Sequence, residues 1–199
     1  MLWLMTSLAL ALESGEKAPD FELKSLSGET VKLSDHKGKL VVLEWFNPGC
    51  PFVKHAHGQQ VMSKTIAQTV SEDTVWLAIN SGAPGKQGAA LKTNEKASSK
   101  WNLQHPVLLD PTGAVGKLYS AKTTPHMFII DKEGKLVYQG AHDNAPRGKV
   151  VAAGEYGGGT TRPWAQLQVP RVRVFVAREL CEIHILRRGR HHGRPAGGG

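Results

Sequence analysis

The sequence predicts an α/β domain in which a central mixed β-sheet is flanked by helices, followed by a basic C-terminal tail of different character. Three observations carry this reading. Short apolar strands alternate with helical stretches through the middle of the chain. One strand, residues 40–46, is apolar almost throughout, as expected for a central strand covered on both faces. A hairpin then closes the series, so the sheet combines parallel and antiparallel neighbours.

The elements follow in order. Phe21-Glu22-Leu23 and Thr30-Val31-Lys32-Leu33 alternate about the Ser27-Gly28 turn and read as a β-hairpin. Lys37-Gly38-Lys39 is a second turn, and Leu40 to Phe46 is the central strand, with Glu44 its one charge. From Pro51, the residues Phe52, Val53, Ala56, Met62, Ile66 and Val70 fit one helical face, with Gly58 a weak point. Val75 to Ile79 is a strand, "NSGAPGKQGAA" a loop, and Ala90 to Trp101 a polar helix. Val107 to Leu109 is a short strand before the Asp110-Pro111-Thr112-Gly113 turn, and Ala114 to Ser120 a short helix. Met127 to Ile130 and Lys135 to Gln139 pair across the Asp131-Lys132-Glu133-Gly134 turn.

The two ends differ from this middle. Met1 to Leu12 is apolar, with small residues at Ala9 and Ala11. It fits the apolar core and cleavage end of a truncated secretory signal peptide, although a positive start is missing. The run is too short to span a bilayer. Export to the periplasm or medium is therefore the expected location. A buried N-terminal segment in a cytoplasmic protein is the alternative. After Gly148 the chain becomes rich in Gly, Arg and Pro, and lysine gives way abruptly to arginine. The expected division is residues 1–16 as signal and linker, 17–148 as the domain, and 149–199 as a disordered or weakly packed tail. Within that tail, Val169 to Leu186 could form a strand or short helix, but nothing before it foreshadows one. The lysine-to-arginine switch also suggests a reading-frame change in the gene, a hypothesis that an uninterrupted resequenced frame would remove.

The net charge of +8 does not indicate nucleic-acid binding, because every arginine lies at or beyond Arg147. Up to Ala145 the charges nearly cancel. Two cysteines make no disulfide scaffold, and no CxxC pair, zinc-ligand spacing or phosphate-binding loop occurs. His191-His192 lie in a Gly/Arg-rich end and read as a tail rather than a metal site. No metal or organic cofactor is expected.

The chemistry points to "LEWFNPGCPFVKH", residues 43–55. Cys50 stands where the central strand hands over to a helix. A helix N-terminus presents unpaired N–H groups and the positive end of its dipole, which favours a thiolate. Pro51 suits the first helical turn, where its missing N–H costs nothing. Lys54 and His55 could add positive potential. A small buried cysteine used only for packing is the competing reading.

"VVLEWFNPGCPFVK" resembles the strand, active-site turn and helix of the thioredoxin superfamily. "TTPHMFIIDKEGKLVYQG" resembles its cis-proline loop, following strand and hairpin. Between them, "AINSGAPGKQG" and "HPVLLDPTGAVGKLYSAKTTPH" resemble the peroxiredoxin-like, redoxin (AhpC/TSA-type) branch. The resemblance covers roughly residues 17 to 145. It implies a thioredoxin-like fold, a functional thiol at Cys50, and a cis Thr124-Pro125 bond beside it. A cis-Pro loop offers the backbone of the preceding residue to an extended substrate. The resemblance also implies a buried acid beneath the cysteine, able to relay protons, at Glu44; an exposed acid at a strand end is the other reading. His126 points either to the site or into the sheet, and Trp45 and Phe46 read as core or cleft wall.

The departures shape the expected mechanism. Val53 stands where a thioredoxin has its second cysteine. The peroxiredoxin PxxxTxxC pattern and its supporting Arg are missing. Members of the peroxiredoxin-like group often carry a further cysteine near the C-terminus, but Cys181 does not align with it. The expectation is a one-cysteine thiol-disulfide oxidoreductase acting on a thiol or disulfide protein or a small-molecule thiol. Peroxide reduction through a sulfenic acid and a non-catalytic binding module remain the alternatives.

Overall fold

The computed structural model describes residues 12–60, 62, 66 and 70–142. The signal-peptide reading of Met1 to Ala11, the tail beyond His142, Cys181 and His191-His192 all lie outside these described residues.

The elements are β1 (Glu22–Ser25), β2 (Thr30–Lys32), a 3-10 turn (Leu33–His36), β3 (Leu40–Trp45), α1 (Pro51–Gly58) and β4 (Thr74–Asn80). They continue with α2 (Leu91–Lys100), β5 (Val107–Leu109), α3 (Ala114–Leu118), β6 (His126–Ile130) and β7 (Leu136–Gly140). Among the described residues the sheet has seven strands in the order β2-β1-β5-β4-β3-β6-β7. β3, β4 and β5 run parallel, while β1, β6 and β7 join antiparallel to their neighbours. The mixed sheet is thus as the alternation of elements implies, and β3 occupies an interior position with all six residues buried.

The strand alternation sorts β3 onto two faces. Val41, Leu43 and Trp45 join Leu77, Ile79, Phe128 and Tyr119 in one cluster. Val42 joins Ala56, Met62, Ile66 and Trp76 on the other, and Phe46 continues that side with Val53, Ala78, Ala97 and Val107. Burying each such large apolar side chain contributes roughly 1.5–3 kcal/mol. Trp45 and Phe46 are therefore core. α1 is held by this second face, which fixes its N-terminus at the carboxyl end of β3.

Three local features differ from the sequence reading. The helix from Pro51 stops at Gly58 instead of continuing to Val70. Glycine costs about 1 kcal/mol in a helix relative to alanine, and Gln60 next adopts a left-handed φ of 59°. Met62 and Ile66 are helical again and buried, whereas Val70 is 45% exposed. The second strand gives way at Leu33 to a 3-10 turn, which the Asp20 carboxylate braces by accepting the Ser34 N–H at 3.0 Å. Ordered packing also begins ahead of residue 17. Leu12 is buried, and its carbonyl accepts Gln139 Nε2 at 2.9 Å. Gly15 N–H donates to the Leu136 carbonyl at 2.7 Å, and Leu136 N–H to that of Glu16 at 2.8 Å. Residues 12–17 therefore run along β7.

Candidate functional site

Cys50 is the N-cap of α1, with extended backbone (φ −69°, ψ 129°), and Pro51 opens the helix. The first helical hydrogen bond runs from Lys54 N–H to the Cys50 carbonyl at 3.0 Å. Cys50 is partly exposed and is a free thiol. Its Sγ donates to the Thr124 carbonyl at 3.1 Å. The Thr124-Pro125 peptide bond is cis. The two motifs meet because β3 and β6 are antiparallel neighbours, with Trp45 opposite His126. Pro51 and Lys54 are exposed, and Val53, at the position of the second thioredoxin cysteine, is fully buried.

The turn before Cys50 is braced from outside. Asn47 Oδ1 accepts Gly49 N–H at 2.7 Å, and its Nδ2 donates to the Gln87 carbonyl at 3.1 Å. Cys50 N–H donates to the Asn47 carbonyl at 2.9 Å. Gly88, at φ +74°, packs so closely on Asn47 that a Cβ there would collide with Oδ1. The Gly88 carbonyl in turn accepts from Asn80 Nδ2 and Asn94 Nδ2, each at 2.9 Å. This amide network fastens the 81–90 loop to β4, α2 and the cysteine turn. None of these asparagines stood out in the sequence. Their only signal was Asn47 directly before Pro-Gly.

A second chain reaches the Thr124 side. Trp45 Nε1 donates to Ser81 Oγ at 3.1 Å, and Ser81 donates to Asp110 Oδ2 at 2.6 Å. The same carboxylate oxygen accepts Gly116 N–H at 2.9 Å, holding the start of α3. α3 leads directly into the Thr124 loop.

Beneath α1 lies a buried polar cluster. Glu44 is fully buried, not an exposed strand-end acid. Its Oε1 meets His57 Nε2 at 2.8 Å, and its Oε2 accepts Trp76 Nε1 at 3.3 Å. Burial pushes its pKa up, but the His57 charge and hydrogen bond, with His105 and His142, bring it below the usual glutamate value. His57 stacks on Trp101 with ring centroids 5.1 Å apart and meets Phe46 edge-on. Sequence reasoning missed His57, because only the placement of α1 over β3 joins it to Glu44. His105 is also buried, and burial pushes its pKa down to about 4.

His126 lies in the sheet. It is buried, its ring is 4.5 Å from that of Phe128, and Nδ1 accepts Lys122 N–H at 3.3 Å. Burial brings its pKa down to about 4. Among the described residues no group of three His, Cys, Asp or Glu side chains could hold a metal ion. No helix there is long and apolar enough to cross a membrane.

Comparison with known proteins places this geometry. Residues 14–139 match the model of the AhpC/TSA family. Peroxiredoxin Bcp of Bacillus subtilis is 33% identical over 144 residues, spanning 64% of this chain and 84% of that protein. Thiol-disulfide oxidoreductase ResA of Geobacillus thermodenitrificans is 30% identical over 127 residues, spanning 63% and 68%. Among solved structures, the thioredoxin domain of a thiol-disulfide oxidoreductase from Bacteroides vulgatus superposes with a TM-score of 0.54. It is 23% identical and covers 65% of this chain and 89% of its own, a likeness in fold. The fold is thioredoxin-like, and the relatives include thiol-disulfide oxidoreductases.

Proposed function

The chain belongs to the AhpC/TSA family, and from that premise we propose that it is a thiol-disulfide oxidoreductase with Cys50 as its one nucleophile. The observation that carries this reading is the partly exposed Cys50 thiol at the α1 N-terminus, 3.1 Å from the Thr124 carbonyl. The helix end favours the thiolate, the species that attacks disulfides. Cys50 Sγ attacks one sulfur of a substrate disulfide, the S–S bond breaks, and the other sulfur leaves as a thiol once it takes up the Cys50 proton. An external thiol then attacks the mixed disulfide and releases Cys50 reduced. Thr124 and Pro125 present the backbone against which an extended substrate lies. Pro51 starts the helix and Lys54 adds exposed positive charge one turn on. Glu44 is the buried acid beneath the helix that relays the proton, and His126 stiffens the Thr124 loop from within the sheet.

The one-cysteine route rests on Val53, which fills the second thioredoxin position with a buried apolar side chain. The substrate class is a protein disulfide or small-molecule thiol. The working unit is the domain of residues 17–148 together with the packed 12–16 segment. The apolar run Met1 to Leu12 supports export. The test is a mixed-disulfide trap in a Cys181→Ser background: the protein with Cys50 forms a covalent adduct with a peptide disulfide at a rate well above that of a free cysteine, and the protein with Cys50→Ser forms none. A Cys50 adduct rate no faster than that of a free cysteine would remove the proposal.

A second reading is thiol-dependent peroxide reduction through a sulfenic acid at Cys50. The identity to Peroxiredoxin Bcp favours it. The missing Thr and Arg speak against it. Relative rates with peroxide and with disulfide separate the two, and absence of both leaves a binding module.

A further inference from the structure

We propose that the Cys50 site takes disulfides set in acidic, extended peptide segments, with Lys54, Lys86 and Lys122 as the residues that select them. This rests on Cys50 being the reactive thiol, as proposed above, and adds the charge of its partner. Three segments build this end of the sheet: residues 47–58, 81–94 and 110–126. Together they carry five lysines, Lys54, Lys86, Lys92, Lys117 and Lys122, and one carboxylate, Asp110. All five lysines are exposed, and none is in an ion pair among the described residues. Asp110 does not offset them: it is 1% exposed, and its Oδ2 is taken by Ser81 Oγ and Gly116 N–H. Glu44, fully buried beneath α1, is likewise closed to a partner. The next acid along these segments, Glu95, lies on the second turn of α2, which runs away from this end.

Three of the lysines lie in segments tied directly to the cysteine turn. Lys54 is on the first turn of α1, and its N–H donates to the Cys50 carbonyl at 3.0 Å. Lys86 adjoins Gln87, whose carbonyl accepts Asn47 Nδ2 at 3.1 Å. Lys122 is two residues from Thr124, whose carbonyl accepts Cys50 Sγ at 3.1 Å. Lys92 and Lys117 stand on α2 and α3, which follow the carboxyl ends of the parallel strands β4 and β5 and so belong to the same end. The opposite end of the sheet is different. There the turns before β3 and β4 and after β6 mix both signs: Asp35 with Lys37, Asp73 paired with Lys132 at 3.4 Å, and Glu133 beside Lys135. The near-cancelling charge of the domain is thus segregated, with one sign exposed at the thiol. Exposed charges of one sign raise the local concentration and association rate of an oppositely charged partner, and salt screens them beyond about 8–10 Å. A disulfide flanked by carboxylates is drawn to this end, and one flanked by ammonium groups is held off. The Thr124 backbone suits an extended chain, so the acidic partner is a peptide segment. The bonds made and broken remain those of the exchange at Cys50.

The experiment measures second-order rates of mixed-disulfide formation at Cys50 in the full-length protein at low ionic strength. Cys181→Ser is present throughout, so that one thiol reports. Three probe peptides carry the same disulfide and differ only in its flanks: glutamates, serines or lysines. Each rate is divided by that of the same peptide with a neutral cysteine derivative, which removes the intrinsic reactivity of the disulfide. The expected order is glutamate, serine, lysine, with a ratio on the order of tenfold between the first and last. That ratio should shrink toward one in about 0.5 M salt. Because the C-terminal tail is also basic, two triple variants of equal charge locate the effect. Lys54→Gln, Lys86→Gln and Lys122→Gln together should remove most of the preference. Lys37→Gln, Lys39→Gln and Lys135→Gln together, at the opposite end, should keep it. Any general loss of thiol reactivity in either variant cancels in the ratio between peptides. Equal rates for the three peptides would overturn the inference, as would a preference that survives the first triple variant. The proposed function is read separately, from the serine-flanked peptide alone. If Cys50 attacks that peptide no faster than the free derivative does, the proposed function falls, and this inference with it.

Discussion

Cys50 Sγ and the Thr124 carbonyl oxygen stand 3.1 Å apart, although 74 residues separate them in the chain. Sheet register brings them together: β3 ends beside the start of β6, and the turn after one faces the loop before the other. The thiol donates to that carbonyl. In the proposed mechanism a substrate strand pairing with Thr124 would compete for the same oxygen, which would link substrate binding to release of the thiol.

Cys50→Ser should abolish thiol-disulfide exchange, with loss of at least about a thousandfold, because no other described residue is a cysteine. Cys181→Ser should keep most of the activity. Steady-state rates with a small disulfide and an external thiol check both. If Cys181→Ser proves as damaging as Cys50→Ser, the tail supplies a resolving thiol and the one-cysteine route is wrong.

How much of this was legible in the sequence depends on the range of each interaction. Strand β3 announced itself because burial on both faces leaves an apolar run. Cys50 and Thr124-Pro125 could be paired only through resemblance, since nothing local links them. The end of α1 at Gly58 was visible as a weak point, but its effect was underestimated. Glu44 left two readings open, because a lone charge in an apolar strand is equally consistent with a strand end. His57, Trp76 and the Asn47–Gly88 brace were invisible, as each depends on which elements pack together.

Gly88→Ala should loosen the cysteine turn. The residue sits at φ +74°, and an added Cβ would collide with the Asn47 side chain that holds Gly49. Left-handed strain and the displaced amide should together cost about 2 kcal/mol or more. The expected outcome is a melting temperature lower by several degrees and slower alkylation of Cys50. An alanine variant as stable and as reactive as wild type would show that the 81–90 loop does not position the thiol.

Peroxide should be a poor substrate beside a small disulfide. A peroxide needs groups that orient it and stabilise its leaving oxygen. No Thr precedes Cys50 at the usual spacing, and there is no Arg among the described residues. Stopped-flow rates of Cys50 with hydrogen peroxide and with an aromatic disulfide make the comparison. A peroxide rate equal to or above the disulfide rate would reverse the order of the two functional readings.

Stability should fall steeply as pH drops from about 6.5 to about 4. His105 and His126 are buried, and burial holds each folded-state pKa at about 4 against an ordinary 6.5. Between these values the unfolded chain binds protons that the folded one excludes, so stability rises with pH across the window. It is fully present above 6.5 and lost as pH falls through the interval. Each histidine contributes a slope of about 1.4 kcal/mol per pH unit in mid-window, or about 2.7 for the two together. Glu44, whose pKa lies below its ordinary 4.5, adds a loss of the same sign at lower pH. His105→Phe should remove about half of the mid-window slope. It should cost little at pH 7, because neither ring nitrogen of His105 has a partner among the described residues. Urea unfolding at pH 7, 6, 5 and 4.5 measures the slope directly. A flat profile over that range would mean that both imidazoles take up their protons in the folded state, which requires water or a carboxylate to reach them.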